Sequence, residues 1–508
     1  MFLDLVPGPL TEPLSGRHWD RDTVRQRYRR RLGFYSRRGL SRADRVFLHY
    51  GNTPEFLVDL LAVWSLGGCA VPIDPRLTAF EIEILARAAA PRFSLWAGTP
   101  DADVARALAA LGAEVLDASE ADAIAPDAVP PAGSLVALDQ DALVLFTSGT
   151  TGQPKGVVHT HRSLRARWMA LRQVLGLEAF RRTLCLLPTH FAHGLICNAL
   201  FPWLSGQHLF ILPPFKADLI LTLGALLDEH GITCMSSVPT VWRLALKTSA
   251  PPRAAALQRV FCASAPLSAH LWQEIRRWTG AREVWNVYGT TETSWLAGTS
   301  MAAFTPEDGL IGEPWGGVVK ILRIADAERQ LGAAEECAAG ESGHVWVNTP
   351  ALMRGYLGRD DLTAQVVSGG WFCTGDIGLL DARGWLYLRG REREEINKAG
   401  MKIYPADVDA VVERFDQTID VCTFAVEDAL LGEEVGLAVV LRTADTATLR
   451  RLHEWTARHL AKHQMPKRWY LVDEIPRTSR GKVNRAAIAA ACAGRRAADL
   501  RAALREPA

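Results

Sequence analysis

The stretch from Arg45 to Ala90 constrains the fold more than any other part of the chain. "RVFLHY" (Arg45–Tyr50) is a short strand-forming run. "PEFLVDLLAVWSLGG" follows it, opening on Pro54, carrying Phe56, Leu57, Leu60, Leu61, Val63 and Trp64 at helical spacing, and closing on two glycines. That is an amphipathic helix with its start and stop signals. "CAVPIDP" then reads as a second strand and "EIEILARAAA" as a second helix. A strand–helix–strand–helix rhythm buries its apolar faces as helices packed on a sheet, so the fold class is α/β.

The rhythm resumes at Ala142 and continues to about Gly309. Between the two runs, Asp101–Gly133 is rich in Ala, Asp and Pro and predicts a short helix and a surface loop. After Gly309 the texture becomes β-rich, as in "HVWVN" and "IGLLDARGWLYLRGR", with a turn at Asp381–Gly384. "GREREEINKAG" (Gly390–Gly400) is a charged break. Beyond it the pattern predicts helix Ala406–Phe415, strands Val421–Val426 and Gly436–Leu441, helix Thr446–His463 and strand Trp469–Val472. That set suits a small α+β domain. At 508 residues, about three compact units are expected from roughly 150 residues per domain.

The charge balance, Lys+Arg 57 against Asp+Glu 56, gives net +1, so no global field recruits nucleic acid or a membrane. The arginines of Arg25–Arg31 and of the tail after Ala493 read as solvated helix faces. Nine scattered cysteines without a C-x-x-C pair suit a reducing compartment. The N-terminus has no secretory signal pattern, and no apolar run reaches the ~18 residues of a membrane span. A cytoplasmic protein is expected.

Five segments carry the chemistry. "FTSGTTGQPKGV" (Phe146–Val157) puts glycines, hydroxyls and one lysine after the apolar run "ALVLF". Such a loop can hold phosphates through backbone N–H groups, hydroxyls and a cation. It is not a Walker A loop, because Lys155 follows Pro154 and precedes Gly156 rather than Ser or Thr. The others are "NVYGTTETS" (Asn286–Ser294), "WFCTGD" (Trp371–Asp376), "GREREEINKAG", and "PRTSRGKVNR" (Pro476–Arg485). A tyrosine face can stack on a purine, and a carboxylate beside threonines can hold Mg²⁺ on phosphate oxygens. An aspartate can accept ribose hydroxyls, and a lysine can neutralise charge developing at a phosphoryl group. Each segment alone also has a plain reading, as a turn, a helix cap or a solubilising lysine.

In this order and at these separations, the five segments resemble the adenylate-forming superfamily of acyl- and aryl-CoA synthetases, adenylation domains and luciferases. The resemblance runs from "RVFLHYGN" to "PRTSRGKVNR". It implies a large N-terminal layered α/β domain with a β-rich subdomain (residues 1–392) and a small mobile α+β C-terminal domain (393–508), hinged at Arg393. It implies two half-reactions: a carboxylic acid attacks the α-phosphate of MgATP, and a thiol then takes the acyl group and releases AMP. Thr147, Ser148, Gly149, Thr150, Thr151, Gly152 and Lys155 would cradle the β- and γ-phosphates. Tyr288 would stack on adenine, with Gly289, Thr290, Ala263, Ser264 and Ala265 lining the same site. Thr291 would meet the α-phosphate and Glu292 the Mg²⁺, while Asp376 and Arg391 would hold the ribose. Lys482 would bridge the attacking carboxylate and the α-phosphate. A hinge arginine at 393 departs from the usual Asp or Lys.

Amino-acid-activating members carry Phe-Asp where this chain has Ala192-His193. An imidazole cannot pair with an α-ammonium as a carboxylate does, so an aryl or small acyl acid without a free α-amine is expected. His193 is equally readable as a hydrogen-bonded core residue. Phe191 stands where many relatives place a gating histidine, and Trp242 is a candidate for the pocket wall or for the core. The acceptor thiol is coenzyme A, or the phosphopantetheine of a carrier protein, with Lys398 and Lys402 as candidate basic contacts or ordinary surface lysines. A non-catalytic nucleotide-binding scaffold is the remaining alternative, and the presence of Lys482, Glu292 and Asp376 speaks against it.

Overall fold

The computed structural model describes residues 7–125, 136–147, 154–213, 217–302, 304–323, 335–399, 401–428, 431–478, 482–493 and 495. Helix starts follow local sequence. Thr53 caps the helix Pro54–Ser65 by accepting from the Phe56 N–H, with Pro54 in the first turn where its missing N–H costs nothing. Thr78 and Glu81 form a reciprocal capping box on the helix Ala79–Ala89.

Two sheets build the large domain. In the first, seven strands run in the order Gly355–Tyr356, Lys155–Thr160, Asp141–Thr147, Cys69–Pro72, Arg45–Leu48, Phe93–Trp96 and Glu114–Asp117. Its five strands from Asp141–Thr147 outward are parallel, as the sequence rhythm requires. The second sheet has 15 strands. Half of it is parallel, centred on Arg182–Cys185, Cys234–Ser237, Arg259–Ala263 and Glu283–Thr290. The other half is the expected β-rich part, joined in antiparallel fashion through Ser294–Ser300 to Trp371–Leu380 and Leu386–Arg391. The alternation that looked continuous from Ala142 is therefore shared between the sheets. The pair Asp141–Thr147 and Lys155–Thr160 belongs to the first sheet and the strands from Arg182 to the second.

The C-terminal elements form their own five-stranded sheet from Ile396–Lys398, Met401–Ile403, Thr418–Asp428, Gly432–Leu441 and Arg468–Leu471. Helices Pro405–Glu413 and Thr446–His459 cover one side, over a separate core of Ile396, Val408, Val412, Leu437, Leu452 and Trp469. Two features departed from expectation. Arg31 is not on a solvated face: it is 1% exposed and lies 3.6 Å from the buried Asp59. The segment His193–Leu200 is a π-helix, a wide turn that the local residues do not announce.

Candidate active site

The hairpin joining Glu283–Thr290 to Ser294–Ser300 is the centre of the site. A side chain on Gly289 would bring its Cβ within 2.0 Å of the Ser294 carbonyl oxygen, so only glycine lets the two strands approach this closely. The turn itself is held from three sides. His159 Nε2 donates to the Thr291 carbonyl (2.8 Å), Met353 N to the Glu292 carbonyl (2.7 Å), and the buried Arg167 Nε to the Thr293 carbonyl (3.2 Å). Burial lowers the His159 imidazole to about 4, so it is neutral and carries its proton on Nε2.

The Glu292 side chain accepts from the Tyr356 hydroxyl (2.8 Å), and Lys155 Nζ stands 5.2 Å from the centroid of the same tyrosine ring. One carboxylate and one ammonium thus converge from distant segments on Tyr356, which sequence reasoning missed. "RGYLG" has no local mark, and its role comes from the pairing of Gly355–Tyr356 with Val157 and Val158. Thr147 faces Lys155 across the ends of the Asp141–Thr147 hairpin, with Thr147 Oγ1 donating to the Lys155 carbonyl (3.4 Å). Ser148, Gly149, Thr150, Thr151 and Gly152 lie outside the described residues.

Asp376 and Arg391 are direct cross-strand partners, and Arg391 Nε lies 2.6 Å from Asp376 Oδ1. Tyr288 donates its hydroxyl to Asp376 Oδ2 (2.5 Å). Burial pushes the Asp376 carboxyl up, and the charge of Arg391, the Tyr288 hydroxyl and the charge of Lys482 favour its ionised form. The three residues expected at the nucleoside end are therefore one hydrogen-bonded cluster.

At the other end, His193 opens the π-helix. Its Nδ1 lies 2.9 Å from Ser264 Oγ and its Nε2 2.6 Å from Ser236 Oγ, with the Trp295 ring centroid 5.3 Å away. Ser264 holds a left-handed φ of 71° just past the strand Arg259–Ala263, next to the buried Ala263 and the partly exposed Ala265. Burial, followed by the charge of Lys482, lowers His193 to about 3, so the imidazole is neutral. Phe191 is partly exposed and packs on His190, whose Nε2 is 3.3 Å from Asp74.

Lys482 comes from the C-terminal domain. Thr478 N donates to the Lys482 carbonyl (2.8 Å), and Arg477 pairs with Val483, so a short hairpin presents the lysine. Its charge acts on both His193 and Asp376.

Two expectations are corrected. Trp242 is 0% exposed and packs on Trp278 inside the second core, so it offers a pocket no surface. Lys398 is buried against Glu434 (2.6 Å), at the inward-facing end of the strand Ile396–Lys398, so it is neither a coenzyme contact nor a surface lysine. Lys402 pairs with Glu395 (3.3 Å) at the surface, and Arg393 is exposed in the turn Glu392–Glu394.

The chain is similar to known proteins over most of its length. A family described as "AMP-binding enzyme" matches residues 26–357, and one described as "AMP-binding enzyme C-terminal domain" matches residues 407–482. The oxalate–CoA ligase of Arabidopsis thaliana is 29% identical over 89% of this chain and 89% of that protein. A Mycobacterium tuberculosis ligase, named for a 7a-methyl-1,5-dioxo-octahydro-indenyl propanoyl group and CoA, is 31% identical over 88% of this chain and 89% of its own. Among solved structures, ATP-bound MatB from Rhodopseudomonas palustris has the same fold, with a TM-score of 0.84 at 24% identity over 97% of each chain. The anthranilate CoA ligase AuaEII in complex with anthranoyl-AMP has it too, with a TM-score of 0.85 at 21% identity over 96% of this chain and 94% of that one.

Proposed function

The chain belongs to the AMP-binding enzyme family, and we propose that it is an acid–thiol ligase that converts a carboxylic acid to its coenzyme A thioester in two steps. The observation that carries this reading is the hydrogen-bonded cluster of Asp376, Arg391 and Tyr288, on which the charge of Lys482 from the other domain acts. Two anions, a carboxylate and a triphosphate, must meet at one phosphorus, and a cation between their binding ends lowers that repulsion.

In the first step a carboxylate oxygen bonds to the α-phosphorus of ATP and the bond to pyrophosphate breaks, leaving an acyl adenylate. In the second, the coenzyme A sulfur, having lost its proton, bonds to the acyl carbon and AMP leaves. Asp376, set by Arg391 and Tyr288, holds the nucleoside, and Thr291, fixed through its backbone by His159, faces the α-phosphate. Lys155 supports the phosphates beside Glu292.

Glu292 suits a magnesium ion, since such ions are held by one or two carboxylates together with phosphate oxygens and water. Among the described residues, no group of three or more His, Cys, Asp or Glu is arranged to hold a metal ion by itself. Such an ion supplies charge neutralisation on the phosphates.

The relatives' names span oxalate and a bicyclic propanoate, so the family leaves the acid open and the pocket must select it. The neutral His193 between two serine hydroxyls offers no counter-ion to an ammonium, which supports a small or aryl acid without an α-amine. No helix among the described residues is long and apolar enough to cross a membrane, and nine cysteines with no disulfide among them support a cytoplasmic setting.

The test is acid-dependent ATP–pyrophosphate exchange over a panel of short, aromatic, fatty and amino acids. One acid class without an α-amine drives exchange, Lys482→Ala lowers it at least about 100-fold, in line with loss of transition-state charge stabilisation, and coenzyme A then yields the thioester. Exchange driven by an amino acid would overturn the reading of His193, and transfer only to a carrier protein would replace the acceptor.

A further inference from the structure

We infer that Arg477 is a positioning residue for Lys482, anchoring the lysine hairpin to the helix Pro239–Thr248 of the large domain. The inference rests on the ligase reading above and concerns residues to which that reading gives no part.

Lys482 has four rotatable bonds and an exposed side chain, so its reach is set by where its backbone is held. That backbone is tied at the hairpin base. Arg477 pairs with Val483 in antiparallel fashion, Asn484 N donates to the Pro476 carbonyl (2.8 Å), and Lys482 N donates to Thr478 Oγ1 (3.3 Å). The Arg477 guanidinium then spans the two domains. Nη1 donates to Thr240 Oγ1 of the large domain (3.0 Å), and Nη2 to Asp420 Oδ2 of the small one (2.6 Å). Arg477 and Asp420 are about four-fifths covered, at 19% and 20% side-chain exposure, so water competes weakly for this pair.

Thr240 is one of three residues on a single stripe of its helix that meet the small domain. Arg243 makes two bonds to Glu413 Oε1 (2.9 and 2.7 Å), and Lys247 Nζ donates to the Ile419 carbonyl (3.3 Å). Steps of three and four residues keep these on one face, while Val241, Trp242 and Ala245 on the other are locked in the core. The helix is thus a rigid ledge. It is also continuous, through Val238, with the strand Cys234–Ser237, whose Ser236 holds His193. One stiff segment therefore fixes both the acid-side histidine and the anchor of the lysine hairpin. A planar guanidinium with two partners at a fixed angle sets orientation as well as distance, which an ammonium does not.

The experiment compares the two half-reactions separately. Acyl adenylate formation is followed by pyrophosphate exchange, and thioester formation by adding coenzyme A to presynthesised acyl adenylate. Arg477→Ala and Arg477→Lys should slow the first step relative to the second by at least about tenfold, the scale expected of a misplacement near 1 Å. Thr240→Val, which removes only the contact across the domains, should shift the same ratio in the same direction. Adding Arg477→Ala to Lys482→Ala should slow adenylation no further, because Arg477 acts through the lysine. The inference is overturned if Arg477→Ala and Arg477→Lys slow both steps equally, as general unfolding would, or if either leaves the ratio unchanged. It is likewise overturned if the double variant is slower than Lys482→Ala. If Lys482→Ala itself leaves exchange intact, it is the ligase reading that fails, an outcome distinct from these.

Discussion

Asp376 illustrates how one buried charge is made usable. At 4% exposure its carboxyl is pushed up by burial, and Arg391 and Tyr288 each engage one oxygen. Removing the guanidinium while keeping the side chain's bulk, as in Arg391→Met, leaves a buried carboxylate with less compensation and drives its pKa further up. A protonated Asp376 has fewer acceptor sites for a ribose, so the KM for ATP should rise about tenfold, and more at pH 6 than at pH 8. Steady-state kinetics at the two pH values checks this, and a pH-independent change would count against the argument. Lys482, Asp376 and Glu292 were legible as residue types in motifs. Tyr356 was not, because a tyrosine gains its place beside Lys155 and Glu292 only when two distant strands pair.

At the scale of elements, the π-helix His193–Leu200 decides the acid end. Its first turn passes so close to the preceding loop that a Cβ on Gly194 would lie 2.3 Å from the Pro188 carbonyl oxygen. Gly194→Ala must therefore shift the start of the helix and with it His193, which the Ser236 and Ser264 hydroxyls now hold. The KM for the acid should rise by about tenfold or more while the KM for ATP changes less, since the Asp376 cluster lies on other strands. Equal changes in both constants, read from initial rates, would show that the effect is global. Sequence periodicity located most strands and helices within a few residues, for example Arg468–Leu471 against the expected Trp469–Val472. It did not distinguish a π-helix from an α-helix, because both bury the same apolar run, and the wider turn is imposed by packing.

Across the whole molecule, buried histidines couple folding to pH. Burial lowers His49 and His193 from 6.5 to about 3, and His159 and His161 to about 4. Their folded pKa values lie below the unfolded ones, so between pH 6.5 and 4 the unfolded chain binds more protons and stability falls as pH falls. His208, lowered to about 4, adds to this, while the buried Asp59 and Asp376 carboxyls of the same domain, raised by burial, oppose it over part of the range, two groups against five. The stability of the large domain should therefore fall between pH 7 and pH 5, by on the order of 1 kcal/mol per histidine and pH unit, and its denaturation midpoint with it. A midpoint that is flat or higher at pH 5 would show that these imidazoles are not neutral in the folded protein. The chain's local pattern determined the α/β class, the β-rich turn of the second half, the small C-terminal domain and the motif residues. Periodicity and glycine placement act over a few residues, so they are written in the sequence itself. The tertiary structure alone decided that Trp242 is core, that Lys398 is a buried ion pair, and that Arg477 ties the lysine hairpin to Thr240. Each of these depends on a partner from a distant segment or another element, and burial and ion pairing between such segments exist only once the sheets have assembled.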